Sequence, residues 1–164
     1  MPCEALLRWR HPQRGEISPG EFVPVAEEIG LIVAIGDWVL QRACADAMLW
    51  PNDVRVAINL SPIQLLNPRL VPVIVGVLAD ANLAAERLEV EITESVLMQN
   101  TATTLSALHS LRNLGIRISM DDFGAGYSSL SNLRSFPFDK IKIDRSFING
   151  LPDGEDSVAM ARIA

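Results

Sequence analysis

The chain has 164 residues, is 49% hydrophobic and 21% charged, and carries a formal net charge of -6 at pH 7. This length fits one domain, and the composition supports a buried core rather than a disordered segment. The acidic balance argues against a nucleic-acid-binding surface, which is normally basic, but allows a phosphate-ester ligand where metal ions or a local Arg or Lys supply positive charge.

Cys3 and Cys44 form no CxxC or Cys/His pattern, so neither zinc nor a disulfide framework is indicated, and Cys44 reads as a small core residue. The N-terminus lacks the basic-then-apolar run of a signal peptide. The longest apolar stretch, Ile29 to Ile35, is far short of the ~20 residues a membrane-spanning helix needs. These features favour a cytoplasmic module, or the cytoplasmic portion of a membrane-anchored parent, with no membrane contact from this segment.

In chain order, short runs of period-two alternation, the mark of a strand, separate longer helical stretches. Glu4 to Trp9 is the first strand candidate. Ser18-Pro19-Gly20-Glu21 reads as a helix start, with Ser at the N-cap, Pro at the first helical position and Glu completing a capping box. Val54 to Leu60 puts Val54, Val56, Ile58 and Leu60 on one face, and Ser61-Pro62-Ile63-Gln64 repeats the helix-start grammar directly after it. Leu88 to Thr93 sets Leu88, Val90 and Ile92 against Glu89, Glu91 and Thr93. Thr101 to Leu114 is helical, with Gly115 placed to stop it. Ile116 to Asp121 and Lys140 to Asp144 repeat the strand pattern, and Asp156 to Ala164 reads as the opening turns of a helix.

Strands alternating with helices imply a parallel sheet with right-handed crossovers. Buried strands of an open doubly wound sheet are apolar on both faces. Here Glu4, Asn59, Glu91, Asp121 and Lys142 fall within or at the ends of successive strands. In a (β/α)8 barrel, ligating and catalytic residues project from the C-terminal strand ends. The predicted fold class is α/β, a partial (β/α)8 TIM-like barrel with about five of eight strands present, since a full barrel runs to ~250 residues.

The sharpest chemical signal is Asp121-Asp122, adjacent carboxylates after the apolar lead-in Ile116, Ile118 and Met120. Such a pair is expensive to bury without cations. Two adjacent Asp side chains can reach two metal ions, which clamp the attacking and leaving oxygens of an in-line displacement. The Gly- and Ser-rich run from Phe123 to Ser129 would cover the site. Its Asp-Phe-Gly triplet also occurs in protein kinases, but no Gly-rich loop or His-Arg-Asp loop accompanies it. Glu4 and Arg8, four apart in one strand, would share a face as a metal ligand beside a phosphate contact, or as a within-strand ion pair. Asn59 is a neutral oxygen ligand or a turn residue. Glu91 and Glu94 are ligand and loop brace, or surface charges. Lys142 can stabilise charge developing on a phosphoryl group, or form an internal ion pair with Asp144. His11 and His109 suggest no partner.

Together these residues resemble one family. Glu4-Ala5-Leu6 with Leu7-Arg8-Trp9, Ser18-Pro19 through Glu27, Asn59-Leu60-Ser61 and Glu91-Ile92-Thr93-Glu94-Ser95 are similar in order and spacing to the EAL-domain cyclic di-GMP phosphodiesterases. The run from Asp121 to Leu130 and Lys142-Ile143-Asp144-Arg145 extend the match over essentially the whole chain. The resemblance implies a (β/α)8-type barrel that hydrolyses one phosphodiester of cyclic di-GMP to the linear dinucleotide with Mg2+ or Mn2+, two ions in the intact domain. By the match, Glu4, Asn59, Glu91 and Asp121 hold the first metal, and Asp121 and Asp122 reach the second. Lys142 assists the attacking water, making Lys142 and Asp122 the catalytic pair. Arg8 contacts a substrate phosphate, and Glu94 stabilises the loop that contains Gly124.

The expected domain spans residues 1–164 and is incomplete. The family has a strand before the EAL signature, where this chain has only Met1-Pro2-Cys3, and later Ala-Glu-Gly-Val-Glu and Gln-Gly-Tyr motifs that are not found here. The fragment itself is therefore expected to be poorly stable and weakly active or inactive. The alternative function is a non-catalytic module that binds cyclic di-GMP or a protein partner. No DNA or RNA partner is expected, and a homodimer of the intact protein stays open.

Overall fold

A computed structural model describes residues 2–99, 102–123, 136 and 138–144. Gly124 and the rest of its loop, Arg145 and the helix expected from Asp156 to Ala164 lie outside the described residues. Strands β1 (Cys3–Ala5), β4 (Val56–Asn59), β5 (Leu88–Thr93), β6 (Arg117–Phe123) and β7 (Lys140–Ile143) form one sheet in the order β1-β4-β5-β6-β7. Every pairing in it is parallel. Between them run α1 (Pro19–Glu28), α2 (Ile32–Ala47), α3 (Pro62–Leu65), α4 (Leu70–Ala81), α5 (Glu94–Gln99) and α6 (Ala102–Asn113). Among the described residues the fold is α/β with five parallel strands in one sheet, the arrangement of a partial TIM-like barrel.

The core lies between the sheet's outer face and the helices. Val56, Ile58, Leu88, Val90, Ile92, Ile116 and Ile118 pack on Leu40, Ala43, Cys44, Ile74, Leu108 and Leu111. Each large aliphatic side chain buried this way contributes about 1.5–3 kcal/mol. Burial on both faces is what a parallel strand under helical crossovers requires. In β5 it extends to Glu89 and Glu91, which are 2% and 1% exposed. The Arg87 guanidinium, also buried, donates to the carbonyls of Ala47 (2.7 Å), Val54 (3.0 Å) and Pro51 (3.3 Å), tying the end of α2 to the entry of β4.

Two expectations need correction. The strand expected from Glu4 to Trp9 ends at Ala5. Residues Trp9–His11 form β2, which pairs antiparallel with β3 (Gly15–Ile17) in a separate hairpin. Gly15 turns that hairpin at φ +77°, and His11 Nδ1 caps it by accepting from the backbone N–H of Gln13 (3.1 Å) and Arg14 (3.2 Å). The strand ending in Asp121 instead runs to Phe123, with a register shift between Met120 and Phe123. A bulge of this kind re-aims side chains at a strand end. Asp122 accordingly has φ +55°.

The helix starts and the glycine stop are as expected. Ser18 Oγ accepts from the N–H of Gly20 at 3.3 Å. Glu21, expected to complete the box, faces Arg14 at 2.5 Å instead. Ser61 and Gln64 form the full reciprocal box at the start of α3. Gly115 follows α6 with φ +93°. Cys44 is fully buried and Cys3 exposed, as the sequence indicated for Cys44. His109 packs against Phe136 with ring centroids 5.0 Å apart, and His11 against Trp9 at 5.7 Å.

Candidate metal and phosphodiester site

Register brings the site together. Neighbouring strands pair Glu4 with Ala57, Asn59 with Glu91, Glu91 with Ser119, and Ser119 with Lys140. Residues paired across a parallel sheet share a face, as do residues two apart along a strand. Glu4, Asn59, Glu91, Asp121 and Lys142 therefore all project to the inner face, opposite the helices.

At the C-terminal strand ends they meet. Asn59 Nδ2 donates to Glu4 Oε1 at 2.8 Å. Lys142 Nζ donates to Glu91 Oε2 and to Asp121 Oδ2 (3.1 Å), and lies 3.8 Å from Glu4 Oε2. Glu4, Glu91 and Asp121 each offer an oxygen, and these oxygens lie within 4.8 Å of one another. Lower on the same face, Glu89 is held by Lys140 (3.3 Å) and Arg55 (3.8 Å). That ion cluster neutralises a second buried carboxylate, and sequence reasoning passed over it.

The electrostatics follow from burial against charge. Burial pushes the Glu91 carboxyl up from its ordinary value, and the Lys142 hydrogen bond and charge pull it part of the way back. Burial alone would lower Lys142, but its hydrogen bonds to Glu91 and Asp121 outweigh that and hold it above its ordinary value. Among the described residues, Lys142 is thus the cation that lies against all three carboxylates. Asp122 is pushed up by partial burial first, then by the charges of Asp121 and Asp144. Its backbone N–H donates to Asp121 Oδ1 at 3.0 Å. It is exposed and stands outside the three-carboxylate group.

A divalent hard cation fits these residues. Glu91 Oε1 is buried and, among the described residues, has no hydrogen-bond partner. An orphaned buried carboxylate oxygen is costly unless a cation takes it. Carboxylate and amide oxygens are the donors Mg2+ and Mn2+ prefer.

Arg8 does not share a strand face with Glu4, because β1 has ended before it. It is exposed, its guanidinium donates to Leu7 O at 2.9 Å, and it lines a cavity of about 300 Å³ with Asn59, Glu91, Thr93 and Gln64. The larger groove of about 760 Å³, between the β2–β3 hairpin and the first two helices, holds none of the strand-end carboxylates. Glu94 opens α5 and is buried, while the loop it was expected to brace falls outside the described residues.

The family model described as EAL domain matches residues 1–164. The chain belongs to the EAL-domain family. The EAL domain is 56% identical over 159 residues to an uncharacterized signaling protein of Caulobacter vibrioides, covering 97% of this chain and 20% of that protein. It is 45% identical over 161 residues to the bifunctional diguanylate cyclase/cyclic di-GMP phosphodiesterase MucR of Pseudomonas aeruginosa, covering 96% of this chain and 24% of MucR. The solved structure of PaMucR phosphodiesterase in its c-di-GMP complex superposes with TM-score 0.86 at 44% identity, over 98% of this chain and 66% of that one. The EAL domain thus spans about a fifth to a quarter of the length of these curated relatives. Among the described residues, no helix is long and apolar enough to cross a membrane.

Proposed function

We propose that this EAL domain acts, within a longer cytoplasmic signalling protein, as a metal-dependent phosphodiesterase that opens cyclic di-GMP to the linear dinucleotide. The observation that carries the reading is the convergence of Glu4, Asn59, Glu91 and Asp121 at the strand ends, with ligand oxygens of the three acids within 4.8 Å. These four residues would hold the first Mg2+ or Mn2+, and Asp121 with Asp122 would reach a second. The ions supply Lewis acidity and positive charge against the phosphodiester.

The remaining chemistry belongs to the side chains. Lys142, kept cationic by Glu91 and Asp121, lies where it can stabilise negative charge developing on a phosphoryl oxygen. In hydrolysis, water oxygen forms a new bond to phosphorus, one ester oxygen leaves as a hydroxyl, and the water proton passes to a base. The exposed guanidinium of Arg8 at the cavity rim suits a phosphate of the dinucleotide. The similarity to a protein named as a cyclic di-GMP phosphodiesterase, solved with that ligand, supports this choice of substrate.

The test is chromatographic assay of cyclic di-GMP cleavage by the protein carrying this domain, with Mn2+ or Mg2+ and with EDTA. Metal-dependent appearance of the linear dinucleotide, lost in Glu91→Gln, is expected. Tight binding of cyclic di-GMP without any turnover would replace the hydrolytic reading with that of a binding module.

A further inference from the structure

Asn59 is the one neutral member of the strand-end cluster, and its position depends on how the chain leaves β4. Directly after it, Leu60 N–H donates to Glu91 O at 2.9 Å, which keeps β4 on β5 for one residue more. The chain then turns at Ser61 into α3. Gln64 fixes that turn, because its Oε1 accepts from the Ser61 N–H at 3.2 Å while Ser61 Oγ accepts from Ile63 N–H at 3.2 Å. Gln64 is only 4% exposed, which is uncommon for an uncharged amide on so short a helix.

The space for Gln64 comes from another element. A Cβ on Gly36, in the second turn of α2, would stand 1.8 Å from Gln64 Nε2 and 2.6 Å from its Cδ. Glycine inside a helix is unfavourable relative to alanine. Gly36 carries no positive φ that would demand glycine, so contact with the Gln64 amide is what the missing side chain serves. Gln64 and Gly36 line the same cavity as Asn59 and Glu91.

We propose that Gln64, seated against Gly36, is a positioning residue for the metal site, holding Asn59 where it meets Glu4. The proposal deepens the metal reading above and rests on it. Gln64→Glu keeps the accepting oxygen and the capping box. Gln64→Met keeps volume and loses the acceptor. Gly36→Ala drives the amide from its seat.

The experiment titrates the full chain with Mn2+ alone, followed by calorimetry or Mn2+ electron paramagnetic resonance, and measures thermal unfolding of each variant in EDTA. Residues that orient metal ligands typically alter affinity 10–100-fold. Gln64→Met and Gly36→Ala are expected to weaken Mn2+ binding by about tenfold or more, and Gln64→Glu to restore it to within about threefold of wild type. If Gln64→Met lowers the unfolding temperature but binds Mn2+ like wild type, Gln64 is merely structural and the proposal fails. If Gln64→Glu is as weak as Gln64→Met, the capping oxygen is not what matters and the proposal fails. A wild-type chain that takes up no Mn2+ overturns it together with the metal reading. Mn2+ uptake without cyclic di-GMP cleavage removes only the hydrolytic reading.

Discussion

Replacing Lys142 by Met tests the electrostatic account of the site. The ammonium lies 3.1 Å from Asp121 Oδ2 and 3.8 Å from Glu4 Oε2, and contacts Glu91, which is 1% exposed. At an effective dielectric of ~20, charges ~4 Å apart interact by about 4 kcal/mol. Removing one partner of a buried ion pair typically costs 3–5 kcal/mol. Glu4 and Asp121 are reached by solvent, which places the metal-free loss near the lower end, about 3 kcal/mol. At ~2–4 °C per kcal/mol, the unfolding temperature in EDTA should fall by roughly 6–12 °C. Addition of Mn2+ should recover much of this, so the metal-induced rise is larger in the variant than in wild type.

The pH dependence has a definite sign. Lys142 is raised above its ordinary value, so its contribution is present below that value and is lost as pH rises through the higher folded value. It also needs ionised partners. Glu91 is raised by burial, so it takes up its proton above the ordinary carboxylate range as pH falls. The deficit of Lys142→Met should thus be full near neutrality and fade as the solution is acidified through Glu91's range. Circular dichroism melts at several pH values read this directly. An unfolding temperature in EDTA at neutral pH equal to or above wild type would refute the argument.

Other outcomes follow from single contacts. Asp121→Asn should diminish the Mn2+ stabilisation, which for an intact site at one hundred times Kd amounts to ~2.7 kcal/mol; melts with and without metal measure it. Arg87→Met removes three bonds from a buried guanidinium to the carbonyls of Ala47, Val54 and Pro51, of which Ala47 O keeps the Trp50 N–H and Pro51 O the Val54 N–H, and urea unfolding should show a loss of about 2 kcal/mol. Burial raises the Cys44 thiol to about 11, so a thiol reagent at pH 8 should label exposed Cys3 rapidly and Cys44 only on unfolding; rapid labelling of both in the folded chain would contradict the described core.

The sequence is most legible where both faces of a strand have distinct duties. Leu88 to Thr93 alternates apolar and polar residues because one face meets helices and the other meets charge, and the strand has those ends. That Glu4, Asn59, Glu91, Asp121 and Lys142 share one face of the sheet was legible for the same reason. Residues Glu4 to Trp9 misled because one apolar-looking run serves two sheets, and the break at Leu6 has no local marker. The Pro12–Gly15 turn after His11 was the available hint of a hairpin. The bulge at Asp122, the Glu89 cluster and the seat of Gln64 against Gly36 were not legible. Each depends on contact between segments far apart in the chain, which periodicity does not report.

The order of the ionic residues along the chain has a consequence during synthesis. Glu4, Glu91 and Asp121 are all made before Lys142, whose bonds to Glu91 and Asp121 span 51 and 21 residues. A nascent chain therefore carries the three acids before their counter-charge has been made. Strand β7 brings the counter-charge with it, so its addition to β6 and the neutralisation of Glu91 and Asp121 are one event.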